Sequence, residues 1–492
     1  MITPIKTIGF FLIVGFILLL SVLALPVDGI QLVGFNIHMP SLKSFISKDT
    51  VSYADISELT SQIEDLDSLP DIEQLMAEAE LNENGESQNM DTAKANASEL
   101  AQNIHRLQFP NGDKTNLLKF LHKLQNMATS GETIRVMHYG DSQLEGDRIT
   151  SFLRNKLQSK YGGSGPGLLP ALQPYESYFS IDQSNEGAWK RYPVFGKVDP
   201  SVEHKKYGPL AAFSRFAPLI PDSLFTDSIQ YQAAIIFNES KMAYSLVRTF
   251  QKLKIFYGNA KSKVEIKIFV DDQLIKTDIL KVGNQMYVFK LNFPQPTKNL
   301  RLEFSGTDSP DFYGIALDGN TGVSMDNIGM RGSSGTIFNK IDYGLLKQSY
   351  DVLDVDLFIM QFGGNVMPYI KDTAQAVDYG RWFYSQLATL KKMRPESALI
   401  VIGPSDMSYK EGDKYLTYPY LPVVRDELRK ATFKAGFAYW DMYEAMGGYN
   451  SMPSWVRSEP PLAGSDYTHF TPNGAKLIGN MFYNALMIEA IK

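Results

Sequence analysis

No cysteine occurs anywhere in the 492 residues. That excludes disulfides, thiolate metal sites and a lipid anchor on cysteine, and leaves an exported chain without the usual staples. An excess of positive charge is also missing. A net charge of −6 gives no electrostatic reason to expect a nucleic-acid partner. No group of His, Asp and Glu has metal-ligand spacing, so no metal or cofactor is expected. The glycine cluster from Tyr161 to Gly167 (YGGSGPG) lacks a Gly-Lys-Ser/Thr ending and follows a helical pattern. It reads as a loop and not as a phosphate cradle. Asp271-Asp272 reads as a hairpin turn instead of a calcium site, and His122 as a surface residue.

What the chain does have is enough apolar material for a large core, 44% hydrophobic and 12% aromatic, over a length that implies two or more modules. One apolar run stands out at the start, Ile8 to Leu25 (IGFFLIVGFILLLSVLAL). It has roughly the length of a membrane-crossing helix. Lys6 before it and Asp28 after it favour a cytoplasmic N-terminus and an exported body. An uncleaved anchor is expected, and a signal peptide cleaved near Ala24 is the alternative. From about Pro40 to Phe109 the chain turns polar and acidic, with Asn82-Glu83-Asn84-Gly85 as a break. A partly disordered stalk with short helices is the economical reading.

Past the stalk, Asp113 to Met127 has helical spacing, with Leu117, Phe120, Leu121 and Leu124 on one face. Thr133 to Tyr139 reads as a buried strand. A helix then opens at the Gly140-Asp141-Ser142 turn, with Ile149, Phe152, Leu153 and Leu157 on its apolar side. Between about Leu172 and Val323 the pattern changes to short alternating strands separated by Gly, Asn, Asp and Pro, as in a β-sandwich. Beyond Val323, strands at 356–364, 398–404 and 437–441 alternate with helices at 373–392, 422–435 and 472–491. Strands alternating with helices imply a parallel sheet covered on both faces.

Four segments bring acyl-transfer chemistry to the strand ends of such a sheet: Gly140-Asp141-Ser142, Asn327 to Ser333, Gly363-Gly364-Asn365 and Asp466-Tyr467-Thr468-His469. A serine hydroxyl needs an imidazole to take its proton, and the imidazole needs a carboxylate to hold its tautomer. Asp466 and His469 are close enough in sequence for one tight turn to direct both towards a pocket. An oxyanion needs preorganised donors, and the Ser142 N–H, a loop-glycine N–H and the Asn365 side-chain amide supply three. His138 precedes the serine on the same strand and reads as structural. Asp406 and Asp441 read as loop-shaping or capping residues.

These segments resemble the blocks of the SGNH (GDSL-type) hydrolase family: GDS at 140–142, the glycine of RGSSG, GGN at 363–365 and DYTH at 466–469. The resemblance implies Ser142 as nucleophile and first oxyanion donor, Gly332 and Asn365 as the other donors, His469 as base and Asp466 as its orienting carboxylate. Gly329 is the other candidate for the glycine donor. The first block reads GDSQ where the family has GDSL, and residue 366 is Val where the family often has Asp. The missing Gly-x-Ser-x-Gly elbow argues against a lipase of the α/β-hydrolase fold. A β insert between the first two blocks resembles the arrangement of bacterial peptidoglycan O-acetylesterases.

The expected fold is therefore a three-layer α/β/α domain with a parallel sheet, interrupted by a β-sandwich and preceded by a transmembrane helix. Its expected segments are 1–30 (anchor or signal), 31–110 (stalk), 111–171 and 324–492 (hydrolase domain), and 172–323 (a carbohydrate-binding-like insert). The expected activity is a membrane-anchored envelope esterase removing small acyl groups, acetyl foremost, from polysaccharide or peptidoglycan in the periplasm or outside the cell. An O-acyltransferase using the same site, or a silent glycan-binding protein, are the alternatives. Trp189, Tyr207 and Tyr313 are candidates for a sugar platform or for core.

Overall fold

The computed structural model describes residues 4–24, 30–32, 35–37, 51–61, 71–81, 98–221 and 225–490. The chain forms two compact units, 1–53 and 54–492. In the first, Pro4–Ala24 is an apolar helix, followed by a short antiparallel pair, Ile30–Leu32 with Phe35–Ile37. Among the described residues no helix is long and apolar enough to cross a membrane, which corrects the expected transmembrane helix.

The second unit is built on a five-stranded parallel sheet. Its strands are β1 (Thr133–Gly140), β2 (Gly322–Gly329), β3 (Val355–Gln361), β4 (Ala398–Ile402) and β5 (Ala438–Trp440), in the order β2-β1-β3-β4-β5. Both faces are buried, as a parallel sheet requires. On one side Ile134, Val136, Leu357, Ile359 and Ile400 meet helices Thr115–Gln125, Thr150–Tyr161 and Pro472–Met487. On the other, Met137, Tyr139, Phe358, Met360 and Val401 meet helices Tyr343–Leu353, Thr373–Met393 and Leu421–Ala435. The three-layer α/β/α arrangement follows.

Between β1 and β2 the chain forms two antiparallel sheets. Ile235, Val264, Ile266 and Leu302 of one share a core with Leu253, Ile255, Ile315 and Leu317 of the other. The limits differ from 172–323. Gly167–Leu169 already pairs with Asp311–Asp318 of the second antiparallel sheet, and Gly322 already begins β2. Asp271 and Asp272 turn the hairpin between Val264–Val270 and Gln273–Leu280, both at positive φ. Tyr207 and Tyr313 are buried and Trp189 packs against Phe216, Phe304 and Phe312. These rings are core, not a sugar platform.

Parts of the acidic stretch belong to the body. Ile56 and Ile72 are buried, the Ile72 N–H donates to Asn484 Oδ1 at 3.0 Å, and Tyr483 Oη donates to Glu73 at 2.9 Å. The stalk reading is corrected for 54–61 and 71–81, where apolar residues spaced among the acids find a docking face. The expected break at Asn82 to Gly85 lies outside the described residues.

Candidate active site

Ser142 follows the carboxyl end of β1, an interior strand of the sheet, and the carboxyl ends of the strands are where open α/β sheets hold ligands. The turn is held by Asp141, whose carboxylate accepts the Gln143 N–H at 3.0 Å. At Gly140 an added Cβ would meet Leu144 Cδ1 at 2.7 Å and the Gln361 carbonyl oxygen at 3.0 Å. The helix expected to open here does not. Ser142–Asp147 is a 3-10 segment broken by Gly146 and Asp147 at positive φ, and the helix begins at Thr150.

The loop before Pro472–Met487 brings the histidine to the serine. Ser142 Oγ lies 2.7 Å from His469 Nε2, and His469 Nδ1 lies 2.7 Å from Asp466 Oδ2. The other carboxylate oxygen, Oδ1, accepts the N–H groups of Thr468 and His469, each at 3.0 Å. Burial works against ionisation of Asp466. The hydrogen bonds from the His469 ring and the two N–H groups outweigh it and hold the carboxyl below its ordinary range. The three side chains therefore form a line from hydroxyl to imidazole to carboxylate.

The other two expected residues border the same space. Gly332 has φ +81° in a position where a Cβ would touch nothing, so glycine serves the backbone there, not the fit. The Asn365 amide donates to the carbonyl of Ser333 at 3.1 Å. One of its two N–H bonds is thereby committed and the direction of the other is fixed. Gly329, the alternative donor, lies against the Leu144 and Glu145 backbone, and its carbonyl accepts from Tyr175 Oη at 2.8 Å.

Two cavities meet at Ser142, His469 and Asn365. One, of about 280 Å³, is lined by Asp141, Gly364, Met407 and Tyr418 among others. The second, of about 1050 Å³, is lined by Gly332, Arg331, Arg148 and Asp466, and by Tyr175, Phe179 and Met242 from the region between β1 and β2. Burial pushes the Asp141 carboxyl up to about 6, against the Gln143 N–H and the charge of His469.

The candidates set aside as structural are so placed. His138 is fully buried, with Nε2 3.1 Å from Gln361 Oε1 and Nδ1 3.0 Å from Thr150 Oγ1. Burial drives its pKa down to about 3, with the hydrogen bond that the ring donates to Gln361 Oε1 opposing, so the ring stays neutral. Asp406 accepts from Thr417 Oγ1 and the Met452 N–H, both at 2.7 Å, and burial raises it to about 6. Asp441 caps Met442–Ala445. Among the described residues no group of acidic and imidazole side chains is arranged to hold a metal.

Residues not singled out from sequence complete the site. The Arg148 guanidinium donates to the carbonyls of Ser142 at 2.6 Å and Phe470 at 3.2 Å. Burial lowers its pKa, with Glu145 and Asp466 opposing. Gln143 reaches the backbone on both sides of His469. Its only sequence signal is the departure from the GDSL pattern.

No protein-family profile and no curated protein matches this chain. Among solved structures, one titled as a peptidoglycan O-acetylesterase in action matches 78% of this chain and 99% of its own at a TM-score of 0.59 and 17% identity. A GDSL-like lipase of Parabacteroides merdae (17% identity, 34% and 72% covered, TM-score 0.24) and an acetyl xylan esterase of Geobacillus stearothermophilus (13%, 34% and 73%, 0.25) overlap less. What the first likeness establishes is the shared fold.

Proposed function

Taking as premise that the chain has the SGNH hydrolase fold, we propose that it is a serine esterase that removes small acyl groups, acetyl foremost, from an envelope polysaccharide. The observation that carries this reading is the unbroken line Ser142 Oγ, His469, Asp466 at the junction of two cavities. His469 Nε2 takes the hydroxyl proton as Ser142 attacks the ester carbonyl, and Asp466 stabilises the imidazolium that forms. The Ser142 and Gly332 N–H groups and the Asn365 amide receive the oxyanion, each such donor contributing ~3 kcal/mol in comparable sites. The imidazolium protonates the departing sugar oxygen. Water activated by the same ring then opens the acyl-serine and releases the carboxylate.

The polymer substrate is supported by the size of the larger cavity and by its wall from the antiparallel region. The solved structure with the same fold is titled as acting on peptidoglycan. An exported location in the envelope is supported by the apolar run at Ile8 to Leu25. The test is reaction of the full chain with a fluorophosphonate probe and with p-nitrophenyl acetate. Labelling at Ser142 with acetate release is expected, and both vanish in Ser142→Ala. Undiminished turnover by that variant refutes the assignment, and labelling with acyl transfer to a sugar instead of water makes it a transferase.

A further inference from the structure

The two catalytic turns come from sites far apart in the chain, and something must hold them in register. Gln143, next to the nucleophile, is buried. Its Nε2 donates to the Thr468 carbonyl at 2.7 Å, and its Oε1 accepts the Phe470 N–H at 3.3 Å. Thr468 and Phe470 are the two chain neighbours of His469. One carboxamide thus straddles the histidine, and the brace runs from the neighbour of the nucleophile to both neighbours of the base. Leucine, the family residue here, has neither a donor nor an acceptor.

The same turn is gripped by a second element. Tyr467 sits at φ +54°, a left-handed conformation that a bulky side chain rarely adopts. Its ring lies face to face on Tyr415, centroids 3.6 Å apart at 4°. Its carbonyl accepts the Ser408 N–H at 3.0 Å. Both partners belong to a hairpin, Ser408–Glu411 with Lys414–Thr417. That hairpin is itself tied down through Thr417 Oγ1 to the buried Asp406.

We propose that Gln143 is a positioning residue for catalysis, which fixes His469 against Ser142 by clamping its flanking backbone, with Tyr415 bracing the turn at Tyr467. The proposal rests on the serine-hydrolase reading. Its reasoning is geometric: proton transfer needs the 2.7 Å Ser142–His469 contact, and a slip of about 1 Å costs on the order of 100-fold in rate.

The test compares wild type with Gln143→Met, which keeps volume and flexibility but removes both hydrogen bonds, and with Tyr415→Ala and Tyr415→Phe. Readouts are kcat and KM for p-nitrophenyl acetate, the fluorophosphonate labelling rate, the final labelled fraction and Tm. Q143M is expected to lose ~10–100-fold in kcat and in labelling rate. Its KM should stay within about twofold, and the final labelled fraction should match wild type. Y415A loses less, and Y415F, which keeps the stack, behaves as wild type. A side chain that only fills space would leave the labelling rate of Q143M unchanged, and that result overturns the proposal. Should Q143M not fold, a wild-type labelling rate in folded Y415A overturns the clamp by itself. Absence of labelling in wild type defeats the serine-hydrolase reading instead.

Discussion

Replacing Asp466 by asparagine tests the triad through the imidazole tautomer. In the wild type one carboxylate oxygen serves the His469 Nδ1–H at 2.7 Å and the other accepts two backbone N–H groups at 3.0 Å. Asparagine has one acceptor oxygen for these three donors. Two backbone N–H groups outbid one ring N–H for it, so the asparagine NH2 faces Nδ1. The ring must then carry its proton on Nε2, aimed at Ser142, where it can no longer accept one. Loss of the correct tautomer costs ~10⁴ in rate in a comparable triad, about 5.5 kcal/mol of barrier.

Alanine removes the carboxylate without imposing the wrong tautomer. The Asp466 side chain is 53% exposed, so water takes its place beside Nδ1. The loss is then that of one charge-assisted hydrogen bond, ~1.5–3 kcal/mol or ~10–150-fold. The less conservative substitution is the milder one. Asp466, held below its ordinary range, contributes above the ordinary carboxylate range and loses that contribution as pH falls through its folded value. Second-order rate constants for p-nitrophenyl acetate at pH 7.5 decide between the variants. D466N equalling or exceeding D466A would refute the tautomer argument.

Asp141→Asn is expected to stabilise the fold. The raised pKa of about 6 means that ionised Asp141 opposes folding as pH rises from the ordinary carboxylate value towards 6. Removing the charge therefore gains up to ~3 kcal/mol above pH 6, and the gain disappears by about pH 4. Thermal melts at both pH values check it, and an equal shift at each would contradict the assignment. His138→Leu leaves Gln361 and Thr150 without their buried partner and should cost ~1–3 kcal/mol, read in a urea titration. Its folded fraction should label at Ser142 as fast as wild type; loss of labelling would make His138 part of the chemistry.

The sheet was legible because its strands carry their pattern locally. Ile134, Val136 and Tyr139, or the run from Leu357 to Met360, are apolar on both faces and end at glycines. The serine, asparagine and histidine segments stood out because each sits just beyond such an element. The hairpin at 408–417 was not read, since its tyrosines and lysines face a loop and not a core. The break after Ser142 depends on Asp147 at positive φ, bound to the buried Arg154 at 2.7 Å. Nothing in the local pattern announces that pair. The bonds of Gln143 to Thr468 and of Asn365 to Ser333 are long-range, and single-sequence periodicity carries no such contacts. Ile72 hid in an acidic stretch because its docking face, at Asn484, lies 412 residues later.

The zipped entry and exit of the antiparallel region have a consequence for how the chain folds. Gly167 to Leu169 pairs with Leu317 to Ile315, and Val323 N–H and Gly319 N–H reach back to the Gly162 and Ser164 carbonyls. Strands β1 and β2 are neighbours in the sheet, yet an open chain joining them would have to close a loop of over a hundred residues. Once the intervening sheets form, their two ends lie side by side and the effective loop shrinks to the stretch between Gly140 and Gly162, which holds the helix Thr150–Tyr161. Closure entropy grows only with the logarithm of length, but it must be met before the long-range contacts form. The region between the strands thus acts as a splint. Destabilising it far from the serine should slow assembly of the β1–β2 edge on which Ser142 and Gly332 depend.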